Sequence, residues 1–488
     1  MVKEFFNKHH ALYIALVALV LSFLTLLSCS CITSFIYSRV PDAPYYNDGA
    51  MFYIMGSSMA NGYTPYIDVF DHKGLYIFYY TAISGALGRT GLFFVILILL
   101  SISVFFIYKT IELHTESKVI IFISLLFFLV IYAFSGQIPN DSDLEMPFNA
   151  VMVYFYVRAL KSDNDKDFYF GNVFAGISAG IAINLRMSDA LVPFAFTVYI
   201  LVYSIMHKKW KFLFINAGIV LGGIVVMSIP PFLHAYVGGF LNDMLEAVYV
   251  SNFSYIATSG VKEGHQIFAY LLVPSLVIIY ALLLYFKRKE FGRDFIIFIG
   301  VSVGVALLVE LVIANYPHYF IVLYPYISVS VTLCAIPYLT NEQGANRIGK
   351  AVNISMIALM TIAYLFNPIF YGLNEATNKK NVAYINETIS EEGKNGHTLV
   401  FCSPSYYISA DIKVGYGDFA CQSNHVQVSK RFSRENLIAY LDSQESEYVI
   451  LDDGSYSFVS SLFIELKNNQ YQVVTAPEGV SISIYQKV

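Results

Sequence analysis

The chain has 488 residues, of which 57% are hydrophobic and only 13% are charged. That is more apolar surface than a soluble domain buries, so the composition excludes an ordinary globular protein and predicts a helical polytopic membrane protein. The net charge of −5 is divided between two aqueous compartments, and no basic stretch is dense enough to predict nucleic-acid binding.

Apolar runs of about 17 to 25 residues are long enough to cross the hydrocarbon core as helices. Eleven such spans are predicted, at about 11–36, 90–108, 118–136, 146–160, 168–185, 189–206, 213–235, 266–286, 295–313, 319–338 and 351–371. The first run is too long for a cleavable signal, and Cys29-Ser30-Cys31 does not form a convincing cleavage site. We therefore expect it to remain as a span.

The lysine and arginine residues predict the orientation. With a cytoplasmic N-terminus, the inner loops hold sixteen of them and the outer loops five. The apolar segment Leu75–Leu87 has only thirteen residues, and counting it as a span would invert every later loop. We predict that it is an interfacial or re-entrant helix on the outer face of the cytoplasmic membrane.

The first outer loop begins with a helical pattern. Asp48 precedes Phe52, Met55 and Met59 on one helical face, and Gly62 supplies a stop, which predicts an amphipathic helix lying in the interface. Capping alone would also favour a carboxylate at Asp48, because free amides and the helix dipole attract negative charge there.

The same loop then turns and gathers titratable residues. After Gly62-Tyr63-Thr64-Pro65 the chain doubles back, which can bring Asp48 near Lys73. A solvated turn is enough to explain Asp68 alone. A set of four beside a short apolar helix points to chemistry; its members are Asp68, Asp71, His72 and Lys73.

Other outer loops add polar residues to the same membrane face. The second loop has no cation and holds three acidic residues, Asp141, Asp143 and Glu145. Of these, Asp141 suits a turn or a helix cap. Arg186 could form an interfacial ion pair with Asp189 or hold a phosphate with its planar fork. His318 lies among tyrosines, where anchoring at headgroup level is the alternative to function. Glu310 lies inside a predicted span, where an ionised group needs a partner or a polar cavity, so its role is either structural or functional.

After about residue 372 the composition becomes typical of a soluble domain. We therefore predict a transmembrane domain, 1–372, and an extracytoplasmic domain, 373–488. Predicted strands at Thr398–Cys402, Tyr448–Leu451 and Ser481–Tyr485 alternate with helical patterns near Val382–Glu391 and Ser433–Ser443, which indicates a small α/β domain. Cys402 and Cys421 can form a disulfide there if the compartment is oxidising. The cysteines show no metal-ligand spacing.

The first loop resembles that of the GT-C glycosyltransferases, in particular bacterial enzymes related to protein O-mannosyltransferases and lipid A aminoarabinose transferases. These carry an acidic residue after the first span, a G-x-x-P-Y-x-D turn and a D-x-K-P-P-like element. The corresponding residues here are Asp48, Gly62-Tyr63-Thr64-Pro65-Tyr66-Ile67-Asp68 and Asp71-His72-Lys73-Gly74-Leu75, in which Gly74 and Leu75 replace the two prolines. Asn140 and Glu145 resemble an N-x-E-type element of the same relatives.

The resemblance implies transfer of a sugar from a polyprenyl phosphate to a hydroxyl of a cell-envelope glycan, lipid or protein, usually with inversion. Asp48 fits the base, with Glu145 orienting the acceptor or assisting it. Lys73, Arg186 and, less directly, His318 fit the departing phosphate. Asp68, Asp71 and His72 are further loop candidates that suit the turn better than the reaction.

No cofactor follows from the sequence, although the acidic residues are compatible with a divalent cation. The chain lacks a G-x-x-x-x-G-K-[ST] loop for a nucleoside triphosphate. The alternative function is a lipid-linked sugar flippase or transporter, which would be expected to carry ionisable residues along a pathway at the midplane.

Overall fold

The computed structural model describes residues 9–28, 48–133, 140–162, 164–252, 292–301, 321–339, 379–402, 404–415, 446–452 and 470–488, with a few isolated positions elsewhere. The predicted span 266–286 and most of 295–313 and 351–371 lie outside these residues. The predicted total of eleven spans therefore stays a prediction.

Helices form most of the described chain. They are α1 His10–Ser28, α2 Asp48–Ala60, α3 Leu75–Thr81, α4 Ile83–Glu112, α5 Lys118–Ala133, α6 Met146–Ser162, α7 Asp165–Ile183, α8 Leu191–Met206, α9 Trp210–Val237, α10 Leu241–Leu245 and α11 Tyr324–Leu339. Within the described ranges, four segments are long and apolar enough to span a membrane: His10–Leu27, Thr90–Glu112, Met187–Met206 and Trp210–Val237. The protein is therefore a multi-pass membrane protein.

The short apolar segment that follows the first loop is helical and separate from the next span. It comprises α3 and the first residues of α4, and the helical geometry breaks at Gly88, where φ is 59° and ψ is −157°. The span Thr90–Glu112 begins just beyond this break. A left-handed φ is easily adopted by glycine, so Gly88 allows the chain to change direction here.

Helices α7 and α9 pack closely because small residues meet between them. A Cβ atom placed on Gly176 would lie 2.6 Å from the carbonyl oxygen of Val220, which leaves no room for a side chain. Asn172 donates a hydrogen bond of 2.6 Å to Asn216 across the same interface. Close backbone approach and interhelical hydrogen bonds both stabilise helix pairs in lipid. The pair holds the turn at the end of α7, which carries Arg186.

The two ends of the helical bundle differ in their charges. At one end, Glu112 forms ion pairs with Lys109 at 2.9 Å and with Lys118 at 3.5 Å, and Lys209 pairs with Asp165 at 2.8 Å. These cations belong to the loops predicted to be cytoplasmic. The acidic second loop and the first loop lie at the opposite end.

The C-terminal region forms a four-stranded sheet in the order β1-β2-β4-β3. Its elements are α12 Glu391–Lys394, β1 Thr398–Phe401, α13 Ser405–Ser409, β2 Tyr448–Asp452, β3 Tyr471–Val473 and β4 Ile482–Lys487, preceded by a helix at 379–388. Strands β1 and β2 are parallel, and the other pairs are antiparallel. The three predicted strands are confirmed, whereas β3 was missed because it has three residues and only Tyr471 is buried.

Helix α13 connects this region to helix α2 of the first loop. Ile408 and Tyr53 pack together on the buried Ala50 of α2. Cys402 is buried, and Cys421 lies outside the described residues, so the disulfide stays a prediction.

Candidate active site

Helix α2 begins at Asp48 and ends at Ala60, with Gly62 at a φ of 91°, so the predicted helix and its glycine stop are confirmed. The predicted amphipathic character is wrong. Residues on all sides of α2 are buried, among them Met51, Phe52 and Ile54. Helices α3, α4 and α13 all pack against it, so α2 is enclosed by other elements instead of lying free in the interface. The side chain of Asp48 is outside the described part of the chain.

The turn after α2 is closed by its own polar groups. Asp68 accepts a hydrogen bond of 2.7 Å from the backbone amide of Thr64, and the Asp68 amide donates one of 2.9 Å to the Thr64 carbonyl. Tyr66 has a φ of 65°, which is rare for a bulky residue, and its amide donates to the Val69 carbonyl at 2.8 Å. Asp68 therefore shapes the turn.

Asp71, His72 and Lys73 are linked side by side. The buried carboxylate of Asp71 accepts a hydrogen bond of 2.8 Å from the Lys73 amide and lies 3.7 Å from His72 Nδ1. The Lys73 ammonium lies 2.9 Å from His72 Nε2. Among the described residues, Lys73 has no carboxylate within ion-pair distance. Within that described set, the ammonium contacts a ring nitrogen and no acid.

The first loop rests directly on the turn that follows α7. The Gly74 amide donates a hydrogen bond of 2.8 Å to the Leu185 carbonyl. A Cβ atom on Gly74 would lie 1.8 Å from the Asn184 carbonyl oxygen, so the two backbones touch. Lys73 and Arg186 each adjoin this contact in sequence. The structure thus brings together the two loops that carry the predicted phosphate ligands.

Arg186 is the centre of a buried polar network. Its guanidinium makes hydrogen bonds of 2.8 Å to each carboxylate oxygen of Asp189, pairs with Asp141 at 3.0 Å and donates to the Ser142 hydroxyl at 2.7 Å. Ser142 in turn donates to Asp189 at 2.9 Å. The ion pair between Arg186 and Asp189, the first alternative from the sequence, is present. The guanidinium also binds the second loop, a contact that the sequence did not predict.

Asp143 organises the second loop. Its carboxylate accepts hydrogen bonds from the Asn140 amide at 2.7 Å and from the Tyr132 hydroxyl at 2.9 Å. Burial raises the pKa of Asp143 to about 7, and the nearby charge of Asp141 acts in the same direction. The Asn140-x-x-Asp143 capping box could have been recognised from its spacing.

Glu145 is fully buried beside this network. Within the described ranges, neither of its carboxylate oxygens has a hydrogen-bond partner. Burial raises its pKa well above the ordinary value, and the charges of Asp189 and Asp141 add to the effect against the opposing charge of Arg186. Burying a carboxyl without a hydrogen-bond partner is costly.

Two further expectations lie beyond what can be described. His318 is outside the described residues, as is Glu310. In the portion of the chain that is described, no cluster of three or more His, Cys, Asp or Glu residues could hold a metal ion.

Comparison with known proteins shows similarity to membrane transferases in the fold and in part of the sequence. Residues 74–231 match the family model of dolichyl-phosphate-mannose-protein mannosyltransferase. ArnT from Cupriavidus metallidurans, in a crystal structure bound to undecaprenyl phosphate and in one of the apo state, has in each case a TM-score of 0.59 and 11% identity, covering 99% of this chain and 98% of that one. The Archaeoglobus fulgidus oligosaccharyltransferase, in complex with Zn and sulfate, has a TM-score of 0.52 and 11% identity, covering 96% and 72%. No curated protein matches the sequence.

These likenesses establish the fold. The chain has the GT-C fold seen in ArnT, and residues 74–231 are similar in sequence to the protein mannosyltransferases, so the resemblance to the GT-C glycosyltransferases is confirmed at the level of the fold. The family match begins at Gly74, immediately after Lys73. The roles of Asp48 and Lys73 are therefore not covered by it.

Proposed function

We propose that this protein transfers a monosaccharide from a polyprenyl phosphate to a hydroxyl group of a cell-envelope glycan, lipid or protein, at the outer face of the cytoplasmic membrane. The observation that carries the proposal is the contact between Gly74 and Leu185, because it joins the loop of Lys73 to the loop of Arg186 beside a buried acidic cluster. The shared fold supports it, since ArnT has been crystallised with undecaprenyl phosphate.

Lys73 is the better candidate for the donor phosphate. Its ammonium contacts a histidine nitrogen, whereas the Arg186 guanidinium is engaged with two carboxylates. A cation without a neutralising acid attracts an anion more strongly than one that is already paired. Lys73 would therefore stabilise the charge that grows on the phosphate as it leaves, and Arg186 would support it by fixing the two loops.

Asp48 is proposed as the general base. The acceptor oxygen would attack the anomeric carbon while the bond from that carbon to the phosphate oxygen breaks, and the hydroxyl proton would pass to the Asp48 carboxylate. One displacement of this kind inverts the anomeric configuration. The products are the glycosylated acceptor and the polyprenyl phosphate.

Supporting roles fall to Glu145 and His318. Glu145 could orient the acceptor, because its buried carboxyl has unused hydrogen-bonding capacity among the described residues. His318 would add a donor at the phosphate. The acidic residues of the loops are compatible with a divalent cation.

The proposed orientation places the C-terminal domain outside the cytoplasmic membrane. It follows from the distribution of lysine and arginine residues between the predicted loops.

The first test is donor binding by the detergent-purified protein. We expect Lys73→Met to weaken binding of undecaprenyl phosphate by about tenfold or more, as expected for loss of a charge-assisted contact. The control is Lys211→Met, which removes a cation at the opposite end of the bundle. Equal affinity of the Lys73→Met variant and the unchanged protein would refute the assigned role of Lys73.

The second test concerns the reaction. Comparing surface glycans of a deletion strain with those of its parent should reveal a missing sugar and so identify donor and acceptor. We expect Asp48→Asn to fail to restore that sugar at normal protein abundance. Asp68→Asn removes a charge from the same loop yet keeps an oxygen for the Thr64 amide, so it should restore it. Restoration by Asp48→Asn would eliminate Asp48 as the base.

The flippase alternative is separated by the assay with purified components. A flippase moves its substrate across a bilayer and forms no glycosidic bond. Glycosylation of an added acceptor in detergent would therefore exclude it as the sole activity. Translocation without glycosylation would favour it over the transferase.

A further inference from the structure

The peptide backbone around Lys73 is held from several directions. Its own amide is bonded to Asp71, and the next amide, of Gly74, is bonded to Leu185. The carbonyl oxygens of His72 and Lys73 also accept hydrogen bonds. Both donors are side chains from outside the segment 71–74. A lysine on an ordinary surface loop would expose these carbonyls to water.

One partner is Asn252. Its side-chain amide donates 2.9 Å to the His72 carbonyl and 2.6 Å to the Val248 carbonyl. Asn252 comes just after a π-helical turn, Glu246–Val250, an irregularity often found at functional sites. Tyr249 from that turn donates 3.1 Å to the Asn184 side chain. The turn therefore joins the first loop to the residue against which Gly74 packs.

The other partner is Tyr66. Its hydroxyl donates 2.9 Å to the Lys73 carbonyl, and its ring lies between Phe78 and Phe240, at centroid distances of 5.5 and 6.2 Å. Tyr66 is the buried residue with the left-handed φ of 65°. Backbone strain of this kind in a bulky residue persists only where surrounding contacts fix it.

We infer that Asn252 and Tyr66 are positioning residues that hold the Lys73 backbone so that its ammonium is preorganised for the donor phosphate. This rests on the proposed role of Lys73. Neither residue needs to touch the donor. These hydrogen bonds fix the backbone from which the Lys73 side chain extends. A lysine that is ordered beforehand loses less conformational freedom when the phosphate binds, so removing either bond should lower the affinity for the phosphate.

The test measures binding of undecaprenyl phosphate to the purified full-length protein carrying Tyr66→Phe or Asn252→Ala. Tyr66→Phe keeps the ring and removes only the hydroxyl. We expect the Kd to rise about threefold to tenfold for each variant, in line with loss of the one hydrogen bond that each residue donates to the Lys73 segment. The matched control is Tyr326→Phe, which removes a buried hydroxyl that donates 2.9 Å to the Phe298 carbonyl, away from both loops. That control should leave the Kd within about twofold, since it does not contact the Lys73 segment.

Repeating both changes in a Lys73→Met background separates positioning from general damage. A residue that acts through Lys73 should have no further effect once the ammonium is gone, because the coupling between the two changes is then complete. An equal loss of affinity in both backgrounds would overturn the inference, and so would unchanged binding by Tyr66→Phe and Asn252→Ala. If Lys73→Met alone leaves the affinity unchanged, it is the proposed function of Lys73 that fails.

Discussion

Substitution of Gly74 tests whether the contact between the loops of Lys73 and Arg186 holds the candidate site together. The relatives that the first loop resembles carry proline after the lysine, whereas this chain has glycine. The backbone of Gly74 has a φ of −75° and a ψ of 168°, which any residue can adopt. The reason for glycine is therefore steric: a Cβ atom would lie 1.8 Å from the Asn184 carbonyl oxygen and 2.2 Å from its carbonyl carbon.

The expected cost follows from these contacts. Both obstructing atoms are backbone, so the loops must separate by about 1 Å or more to accept alanine, and overpacking of this kind costs about 1 to 3 kcal/mol. Separation also stretches the hydrogen bond from the Gly74 amide to Leu185, which adds about 1 kcal/mol. Gly74→Pro fits the φ angle but has the same clash and removes that amide, so it should be at least as harmful.

Thermal unfolding of detergent-purified protein at one scan rate, with undecaprenyl phosphate binding beside it, measures the effect. We expect Gly74→Ala to lower the Tm by several degrees and to weaken binding. Gly218→Ala is the control, because a Cβ there has nothing within 4 Å and alanine favours the helix. A Gly74→Ala protein with unchanged Tm and unchanged affinity would show that the loops do not depend on this contact.

The remaining predictions concern the buried charges. The folded protein keeps the Asp143 proton up to about pH 7, whereas the unfolded chain releases it near pH 4, so the free energy of unfolding should fall as the pH rises between these values. In Asp143→Asn the amide can still face the Tyr132 hydroxyl, and its Tm relative to the unchanged protein should rise from pH 5 to pH 7 and then level; a constant difference would contradict the assignment. Arg186→Met leaves Asp141 and Asp189 buried without their cation, and should lower stability by about 3 to 5 kcal/mol, whereas Lys73→Met should barely change the Tm.

Local patterns predicted the elements around the site well. The start of α2 at Asp48, the stop at Gly62 and the separate helix after Leu75 each depend on neighbouring residues, and each is confirmed. The ion pair of Arg186 with Asp189 also lies within one turn of chain, at a separation of three residues. Such features follow from helix periodicity, capping and turn chemistry.

Contacts between distant segments were not predictable in the same way. The sequence pattern of helix α2 predicts an amphipathic helix. The helix is nevertheless buried, in part because α13 from the C-terminal region covers it near Ala50. Asn252 reaches the His72 carbonyl from 180 positions further along the chain. Neither partner has a periodic pattern that points to the other, and a π-helical turn has no reliable sequence signal.

Under the proposed function, the two cations at the loop contact have separate roles, Arg186 in support and Lys73 in chemistry. Arg186 presents a planar fork to two carboxylates and a hydroxyl, which suits a buried residue that must join two loops. Lys73 presents a compact charge beside a histidine nitrogen, with its backbone fixed from four directions. Neutralising Lys73 with an acid would stabilise the loop but weaken its attraction for a phosphate. Because Arg186 and Asp189 supply a stabilising ion pair beside the contact, Lys73 can remain unneutralised among the described residues, as the proposed anionic donor would require.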